Sequence, residues 1–311
     1  MQKITEMLDI QYPLFLGAMG GISRPDLVVA VSEAGGLGIL ETAGAKADAV
    51  RDRIKEIKSR TDKPFGVNIA IITGNAEQIL PVLEEEGVKI VVTGAGDPLP
   101  YIDRIHQMGG RIFPVVPSAR VAKKVADAGA DGVIVEGTEA GGHVGEGTTM
   151  TLVRQASDIL DIPVIAAGGI ADGHGVVAAY ALGASAVQIG TLFVASTEAP
   201  IHENYKQAIV NATDTSTFVS GRETGAPIRI EKNNAAKTHQ KLDKDPNVGV
   251  KEIEGFTIPS LVKAAYQGNT TDEIVTYGQI ASLVKEIRPV KEIIEGLFKE
   301  ADEVLSKLKI Q

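Results

Sequence analysis

Two pairs of residues stand where a polypeptide could bind phosphate. Gly168-Gly169 and Gly190-Thr191 each follow an apolar run and precede a stretch with helical character. Glycine lets an anion approach backbone N–H groups closely, and the amino-terminal end of a helix carries partial positive charge. Either pair could instead serve only to turn a strand into a helix. The repetition of the arrangement, with a hydroxyl group at Thr191, favours a phosphate site.

One of the five histidines lies in a glycine-rich segment. His143 ends the sequence Gly-Thr-Glu-Ala-Gly-Gly-His, which follows an apolar run. An imidazole titrates near neutral pH and can serve as a general acid, a general base or a hydrogen-bond donor. The alternative is an exposed loop histidine without a role. The carboxyl groups of Glu136 and Glu139 lie close by in the sequence, and we expect this segment to be functional.

Several common kinds of site find no support in the sequence. The chain has no cysteine, which excludes disulfides, thiolate metal sites and cysteine nucleophiles. No grouping of His, Asp and Glu has a metal-binding spacing, so no metal site is predicted. The motif Gly-x-Gly-x-x-Gly of dinucleotide-binding folds is missing, as is the Gly-x-Ser-x-Gly of α/β-hydrolases.

The charge balance also narrows the partners. The net charge is −9 and the sequence pI is about 5.2, which opposes nonspecific binding to nucleic acid or to acidic membranes. The first residues are partly acidic and do not resemble a signal peptide, and no apolar run approaches the length of a membrane-spanning helix. We therefore expect a cytoplasmic protein with a small-molecule or carrier-bound substrate.

Short apolar runs alternate with amphipathic stretches over the first two thirds of the chain. Runs that are apolar on both faces are typical of parallel strands buried on two sides. Most of the amphipathic stretches end at a glycine and lead into the next run, which indicates repeated βα units. The eight runs are residues 13–18, 37–40, 65–72, 90–93, 112–116, 132–135, 163–167 and 186–189.

Eight βα units favour a (β/α)8 TIM barrel, although periodicity alone also allows a doubly wound sheet. In such a barrel the site is built at the carboxyl ends of the strands. Residues 196–256 break the rhythm and are polar, so we predict a small helical insertion, or lid, after strand eight. Residues 1–195 and 257–311 would form the barrel, with carboxyl-terminal helices over 259–267, 277–286 and 290–308.

These motifs together resemble a known family, the one that contains FMN-dependent enoyl-acyl-carrier-protein (enoyl-ACP) reductase II and nitronate monooxygenase, formerly 2-nitropropane dioxygenase. The resemblance spans nearly the whole chain. The segment around His143 and the double glycine at 168–169 are its most specific parts. The matching segments are residues 34–38, 63–68, 93–98, 137–145, 165–173 and 188–193.

The resemblance implies FMN across the mouth of the barrel, and a homodimer. His143 matches the base proposed for nitronate-oxidising members, whereas in the reductases the same position organises the nucleotide or substrate site. Protein groups would then place the proton while the cofactor performs the redox chemistry. The positions that match flavin contacts are Ala18, Met19, Gly20, Asn68, Glu136, Gly141, Gly142, Gly168, Gly169, Gln188, Gly190, Thr191, Tyr277, Gly278 and Gln279.

The resemblance leaves two activities open. Residues 114–118, 148–155 and 277–284 are similar to the reductases, which implies NAD(P)H-dependent reduction of a trans-2-enoyl thioester. The first loop, residues 17–23, is closer to the nitronate enzymes, which oxidise alkyl nitronates with O₂. Glu41 replaces a small residue at the end of strand two, and a carboxylate facing the flavin there would alter substrate specificity. A flavin-free isomerase or lyase that binds a phosphorylated ligand is a third hypothesis.

Overall fold

The computed structural model of the chain describes residues 3–309, and every predicted strand of the barrel is present within one or two residues of its expected bounds. The strands, in chain order, are β1 (Leu14–Leu16), β2 (Gly38–Glu41), β3 (Phe65–Ala70), β4 (Ile90–Gly94), β5 (Arg111–Val116), β6 (Val133–Glu136), β7 (Gly142–His143), β8 (Val164–Ala167), β9 (Ala186–Ile189), β10 (Thr217–Ser220) and β11 (Ile228–Glu231).

Helices follow almost every strand of the barrel, as the βα pattern predicts. None of the helices described between residues 3 and 309 has the length and apolar character needed to cross a membrane. The helices are α1 (Ile4–Leu8), α2 (Pro25–Glu33), α3 (Ala47–Arg60), α4 (Ala76–Glu85), α5 (Ile102–Gln107), α6 (Ala119–Asp127), α7 (Thr149–Ile159), α8 (Gly173–Ala181), α9 (Thr191–Val194), α10 (Glu203–Val210), α11 (Asn234–Asp243), α12 (Val250–Gln267) and α13 (Val290–Lys307).

The eight long-range strands form a closed parallel barrel. Their spatial order is β1-β9-β8-β6-β5-β4-β3-β2, with every neighbouring pair parallel. A parallel bridge between Phe15 and Leu37 joins the two edges, and the Leu16 amide donates to the Leu37 carbonyl at 2.9 Å. Closure removes the unpaired sheet edges, and it confirms the predicted (β/α)8 fold over the doubly wound alternative.

The core has an inner and an outer part. Side chains that point into the barrel, such as Phe15, Ile39 and Phe113, form one buried cluster that includes Ile4 and Leu8 of α1. Since α1 immediately precedes β1, it closes the amino-terminal end of the barrel. The alternate strand residues pack outward against the helices in a second, larger cluster. The carboxyl end of the barrel is therefore the end left for a site.

The insertion after β9 contains a small antiparallel sheet as well as helices. Strands β10 and β11 form a hairpin, and β11 also pairs with β7, where Ile228 lies opposite His143. The sequence analysis did not anticipate this hairpin, because its strands are four residues long and carry polar side chains such as Arg229. The pairing with β7 fastens the insertion directly to the loop that holds His143.

Two predictions for the carboxyl-terminal part were wrong. Residues 277–286 form an extended segment with a 3₁₀ turn at Gln279–Leu283, because the Gly278 and Gln279 amides donate to other loops of the barrel. The helix expected at 259–267 begins at Val250, since Pro259 is accommodated within α12 above Gly255. The expected boundary at residue 256 lies inside this helix, so the division of the chain into barrel and insertion stays a prediction.

Candidate functional site

Three of the predicted flavin-contact residues lie on the inner face of the barrel near its carboxyl end. Gln188 and Glu136 stand two residues after Ala186 and Ile134, which belong to the inner cluster, and side chains two apart along a strand share a face. Asn68 pairs in register with the inward-facing Val92. The Gln188 side-chain oxygen is buried, and no donor among residues 3–309 lies within hydrogen-bonding reach of it. A buried acceptor of this kind calls for a partner.

Three loops meet beside this inner ring. The Gly278 amide donates to the Thr191 hydroxyl oxygen at 2.9 Å, and the Gln279 amide donates to the Glu139 carbonyl at 2.9 Å. Gly141 lies so close to the extended segment that a Cβ there would stand 2.5 Å from the Tyr277 carbonyl carbon. The structure thus brings residues 139–142, 190–191 and 277–279 together, although they are distant in sequence.

The pair Gly168-Gly169 follows β8 in the left-handed region of backbone conformation. Their φ angles are +91° and +72°, which side-chain-bearing residues rarely adopt. The pair leads into α8, whose first turn is capped by Asp172 accepting from the Gly175 amide at 2.8 Å. A Cβ at Gly168 would also stand 3.0 Å from the Gly137 carbonyl oxygen, so packing alone already favours glycine there. The loop satisfies both the phosphate and the turn interpretation.

The loop after β1 approaches the same region from the other side. The Met19 amide donates to the Ser23 hydroxyl oxygen at 3.0 Å, and that hydroxyl donates to the Gly17 carbonyl at 2.8 Å. The Met19 sulfur would lie 3.3 Å from a Cβ at Gly190. Met19 is therefore held next to the Gly190-Thr191 pair, and Ala18 and Gly20 lie on either side of it, partly accessible to a ligand.

His143 is partly exposed and has a carboxylate partner that the sequence analysis missed. Its Nε2 atom lies 2.8 Å from the Glu254 Oε1 atom on α12. Burial raises the pKa of Glu136 to about 7, and the neighbouring His143 opposes that shift. Glu254 stands 111 residues further along the chain, in a helix whose sequence has no motif, so only the fold brings it to the histidine.

Helix α12 extends from His143 to the opposite rim of the barrel. Near its amino-terminal end Glu254 pairs with His143, and near its carboxyl-terminal end the Tyr266 hydroxyl donates to the Gly21 carbonyl. The two residues are twelve apart, which corresponds to about 18 Å along a helix. Since Gly21 lies in the loop after β1 and His143 in the loop after β6, α12 crosses the mouth of the barrel.

Glu41 lies in a buried ion pair. Its Oε1 atom is 3.1 Å from the Arg24 Nε atom and 3.6 Å from an Arg53 Nη atom, and its Oε2 atom accepts from the Ala43 amide at 2.9 Å. Burial raises the pKa of Glu41, although the two arginines and the amide act in the opposite direction. The carboxylate is thus shared between two cations, and a role for Glu41 in specificity stays a prediction.

The aromatic ring of Tyr277 is buried under the extended segment. Its hydroxyl group lies near Glu231, and burial raises the pKa of the Glu231 carboxyl to about 7. Burial also raises the pKa of Tyr277 well above its usual value. Because this side chain is enclosed, Tyr277 and Gly278 can offer a ligand only their backbone, whereas Gln279 is exposed.

Comparison with known proteins was made for the whole chain. A family model described as nitronate monooxygenase matches residues 1–80 and 70–300. A nitronate monooxygenase from Pseudomonas aeruginosa is 32% identical, with 96% of this chain and 98% of the relative covered. The enzyme named (3aS,4S,5R,7aS)-5-hydroxy-7a-methyl-1-oxo-octahydro-1H-indene-4-carboxyl-CoA dehydrogenase, from Rhodococcus jostii, is 31% identical over 96% of this chain and 95% of the relative.

A solved structure matches more closely than either of these relatives. FabK from Thermotoga maritima, an enoyl-ACP reductase II, has 44% sequence identity and a TM-score of 0.95. The match covers 99% of this chain and 98% of FabK. The insertion, the crossing helix α12 and the barrel are all included in a match of that extent.

Proposed function

The chain belongs to the nitronate monooxygenase family, and on that premise we propose that it is an FMN-dependent oxidoreductase that uses NAD(P)H to reduce a trans-2-enoyl thioester. Members of the family such as FabK and nitronate monooxygenase are flavin enzymes. A flavin-free isomerase or lyase therefore no longer accounts for the barrel.

The residues at the barrel mouth fit a bound flavin. The unpaired buried oxygen of Gln188 suits an N–H donor of a flavin ring, and Asn68 shares its face of the barrel. The glycines at 168, 169 and 190 leave backbone free for a phosphate, beside the Thr191 hydroxyl. FMN would supply the acceptor and donor for hydride. We assign its ring to the Gln188 side of the mouth and its phosphate to the two glycine loops.

The protein groups near His143 would manage the proton. The His143–Glu254 contact fixes one face of the imidazole, and Glu136 lies within electrostatic reach of the ring. Because the pKa of Glu136 is raised to about 7, its carboxyl is partly protonated at neutral pH and can donate a hydrogen bond as well as accept one. These residues would orient the thioester and hold a proton where the reduced bond needs it.

One observation carries the choice of reductase, the agreement with FabK along 99% of the chain at 44% identity. The Rhodococcus relative, a dehydrogenase named for a carboxyl-CoA compound, supports a thioester substrate. Anaerobic absorbance spectroscopy of the FMN-loaded protein tests the proposal. NADH or NADPH should bleach the flavin, and an enoyl thioester should restore its colour. Failure of both nicotinamides to bleach the flavin would contradict it.

Nitronate oxidation is the second candidate. The family description and the relative from Pseudomonas aeruginosa favour it, and an imidazole supported by a carboxylate suits a base that removes a proton from carbon. In the same anaerobic experiment, bleaching by an alkyl nitronate without any nicotinamide would assign this activity, with His143 as the base.

We also propose that the enzyme works as a homodimer in the cytoplasm, with residues 1–195 and 257–311 as the barrel and 196–256 as the insertion. Light scattering coupled to gel filtration tests the dimer. Limited proteolysis would show whether the insertion is cleaved as a unit.

A further inference from the structure

Helix α12 has three faces of different character. Ile253, Thr257 and Ala264 are buried, and the helix packs with them against the insertion. Glu252 and Lys263 belong to a second, exposed polar face. The third face carries Glu254, Ile258, Val262 and Tyr266, which follow one another at steps of four residues. We call this third face the mouth strip.

The mouth strip faces the barrel because both of its ends are attached there. Glu254 contacts His143, and Tyr266 donates to the Gly21 carbonyl. Each step of four residues turns about 40° round a helix, so Ile258 and Val262 point in directions between those of the two attached residues. Both must therefore look towards the mouth of the barrel.

Ile258 and Val262 are unusually accessible for apolar side chains in such a place. Their exposed fractions are 55% and 49%, although they lie between two residues that contact the barrel. Neither carries a polar group, and no charged side chain separates them on the strip. They are about 6 Å apart along the helix axis, a distance that several methylene groups of an extended chain would cover.

We infer that Ile258 and Val262 form the wall that binds the acyl chain of the thioester substrate. The inference rests on the proposed function and deepens it, since it assigns an apolar chain to a surface that begins one helical turn from Glu254 and His143. The thioester group would lie at the His143 end, among polar groups. The hydrocarbon chain would run along the strip towards Tyr266.

Binding of saturated acyl-CoA thioesters to the FMN holoenzyme tests the inference without turnover. Decanoyl-CoA and butyryl-CoA would be titrated, with the change in flavin absorbance or the heat of binding as the signal. Each buried methylene group strengthens binding about fourfold, so the wild type should bind decanoyl-CoA at least about tenfold more tightly. The double substitution Ile258→Ser with Val262→Ser should bring that ratio close to one.

Two further variants guard the interpretation. Leu305→Ser removes an exposed leucine from α13, outside the mouth, and should leave the ratio unchanged. Val262→Trp should fill the strip and weaken decanoyl-CoA binding more than butyryl-CoA binding. All substituted side chains are about half exposed or more, so thermal unfolding should be little affected, and a melting temperature confirms it.

Several results would overturn the inference. A wild type that binds both thioesters equally would do so, as would a double variant that keeps the tenfold ratio. If FMN affinity or the oligomeric state changes while the ratio does not, the strip covers the flavin or a second copy of the chain. Absence of enoyl reduction with a chain-length preference that the double variant loses would contradict the proposed function and leave the acyl wall standing.

Discussion

At the scale of single residues, the chemistry depends on how His143 is held. A short strand pairs its backbone with Ile228, and a carboxylate from another element contacts its ring. An imidazole with one nitrogen fixed in this way presents the other nitrogen in a defined direction. We therefore regard Glu254 as a positioning residue that acts through His143.

Glu254→Ala should lower kcat about tenfold to a hundredfold, because the imidazole loses its fixed orientation. Glu254→Gln, which keeps a hydrogen-bonding oxygen, should lower it less. The flavin spectrum and KM for NAD(P)H should stay as in the wild type. In a His143→Ala background the same substitution should cost almost nothing further, since the residue through which it acts is gone. Additive losses in that double variant would contradict the assignment.

Glu41 is the residue whose role separates structure from specificity. Its carboxylate lies between Arg24 and Arg53, so removing it leaves two guanidinium groups without their shared counter-ion. Glu41→Gln should lower the free energy of unfolding by about 1–3 kcal/mol, measured by urea denaturation. KM for the enoyl thioester should change by less than about threefold. A large change in KM with unchanged stability would assign Glu41 to substrate recognition.

At the scale of elements, the sequence predicts the barrel well because each strand is a local signal. A buried parallel strand is an apolar run, and a helix that ends at glycine marks its partner, so residues 13–189 could be divided correctly. The β10–β11 hairpin escaped because its short strands are partly polar. The extended segment at 277–279 escaped because its conformation depends on Thr191 and Glu139, which lie far away in the chain.

The candidate site divides in the same way. Glycine loops and His143 are visible in the sequence, since their residue types and their place after apolar runs already suggest a role. Glu254 and the partners of Glu41 are not visible, because nothing local distinguishes one glutamate or arginine of a helix from another. Contacts that join distant elements can be recognised only after the fold has placed them.

Gly141 tests how closely two of these elements must approach. A methyl group there would stand 2.5 Å from the Tyr277 carbonyl carbon, so Gly141→Ala should push the 277–279 segment away from the mouth. We expect FMN affinity to fall about tenfold or more, measured by fluorescence titration of the apoprotein with FMN. Gly296→Ala is the matched control in α13, where an added Cβ meets only ordinary contacts. Equal FMN affinity in both variants would contradict the close approach.

At the scale of the whole molecule, stability should depend on pH through a buried carboxyl outside the catalytic centre. Burial raises the pKa of Glu231 to about 7 from an ordinary value near 4.5. Between these two pH values the folded protein holds a proton that the unfolded chain has lost, so the free energy of unfolding falls as pH rises from about 4.5 to 7. Above pH 7 this contribution levels off.

Glu231→Gln should remove that part of the pH dependence. We expect the wild type to lose roughly 1–2 kcal/mol more than the variant between pH 5 and pH 8, after allowance for the partial exposure of the carboxyl. Urea denaturation at several pH values measures the difference. Parallel curves for the two proteins would show that Glu231 ionises normally in the folded state.

The whole molecule combines a barrel, an insertion fastened to the histidine loop, and a helix attached across the mouth. This arrangement suits an enzyme that protects a reduced cofactor while it admits an acyl substrate. The central claim is that the substrate accepts the electrons.

An anaerobic single turnover tests that claim most directly. Protein whose FMN has been reduced by one equivalent of NAD(P)H would be mixed with one equivalent of a trans-2-enoyl thioester, and the product measured by mass spectrometry. The proposal predicts one equivalent of the saturated thioester, formed as the flavin regains its colour. Recovery of the enoyl thioester unchanged, with the flavin still reduced until O₂ is admitted, would contradict it.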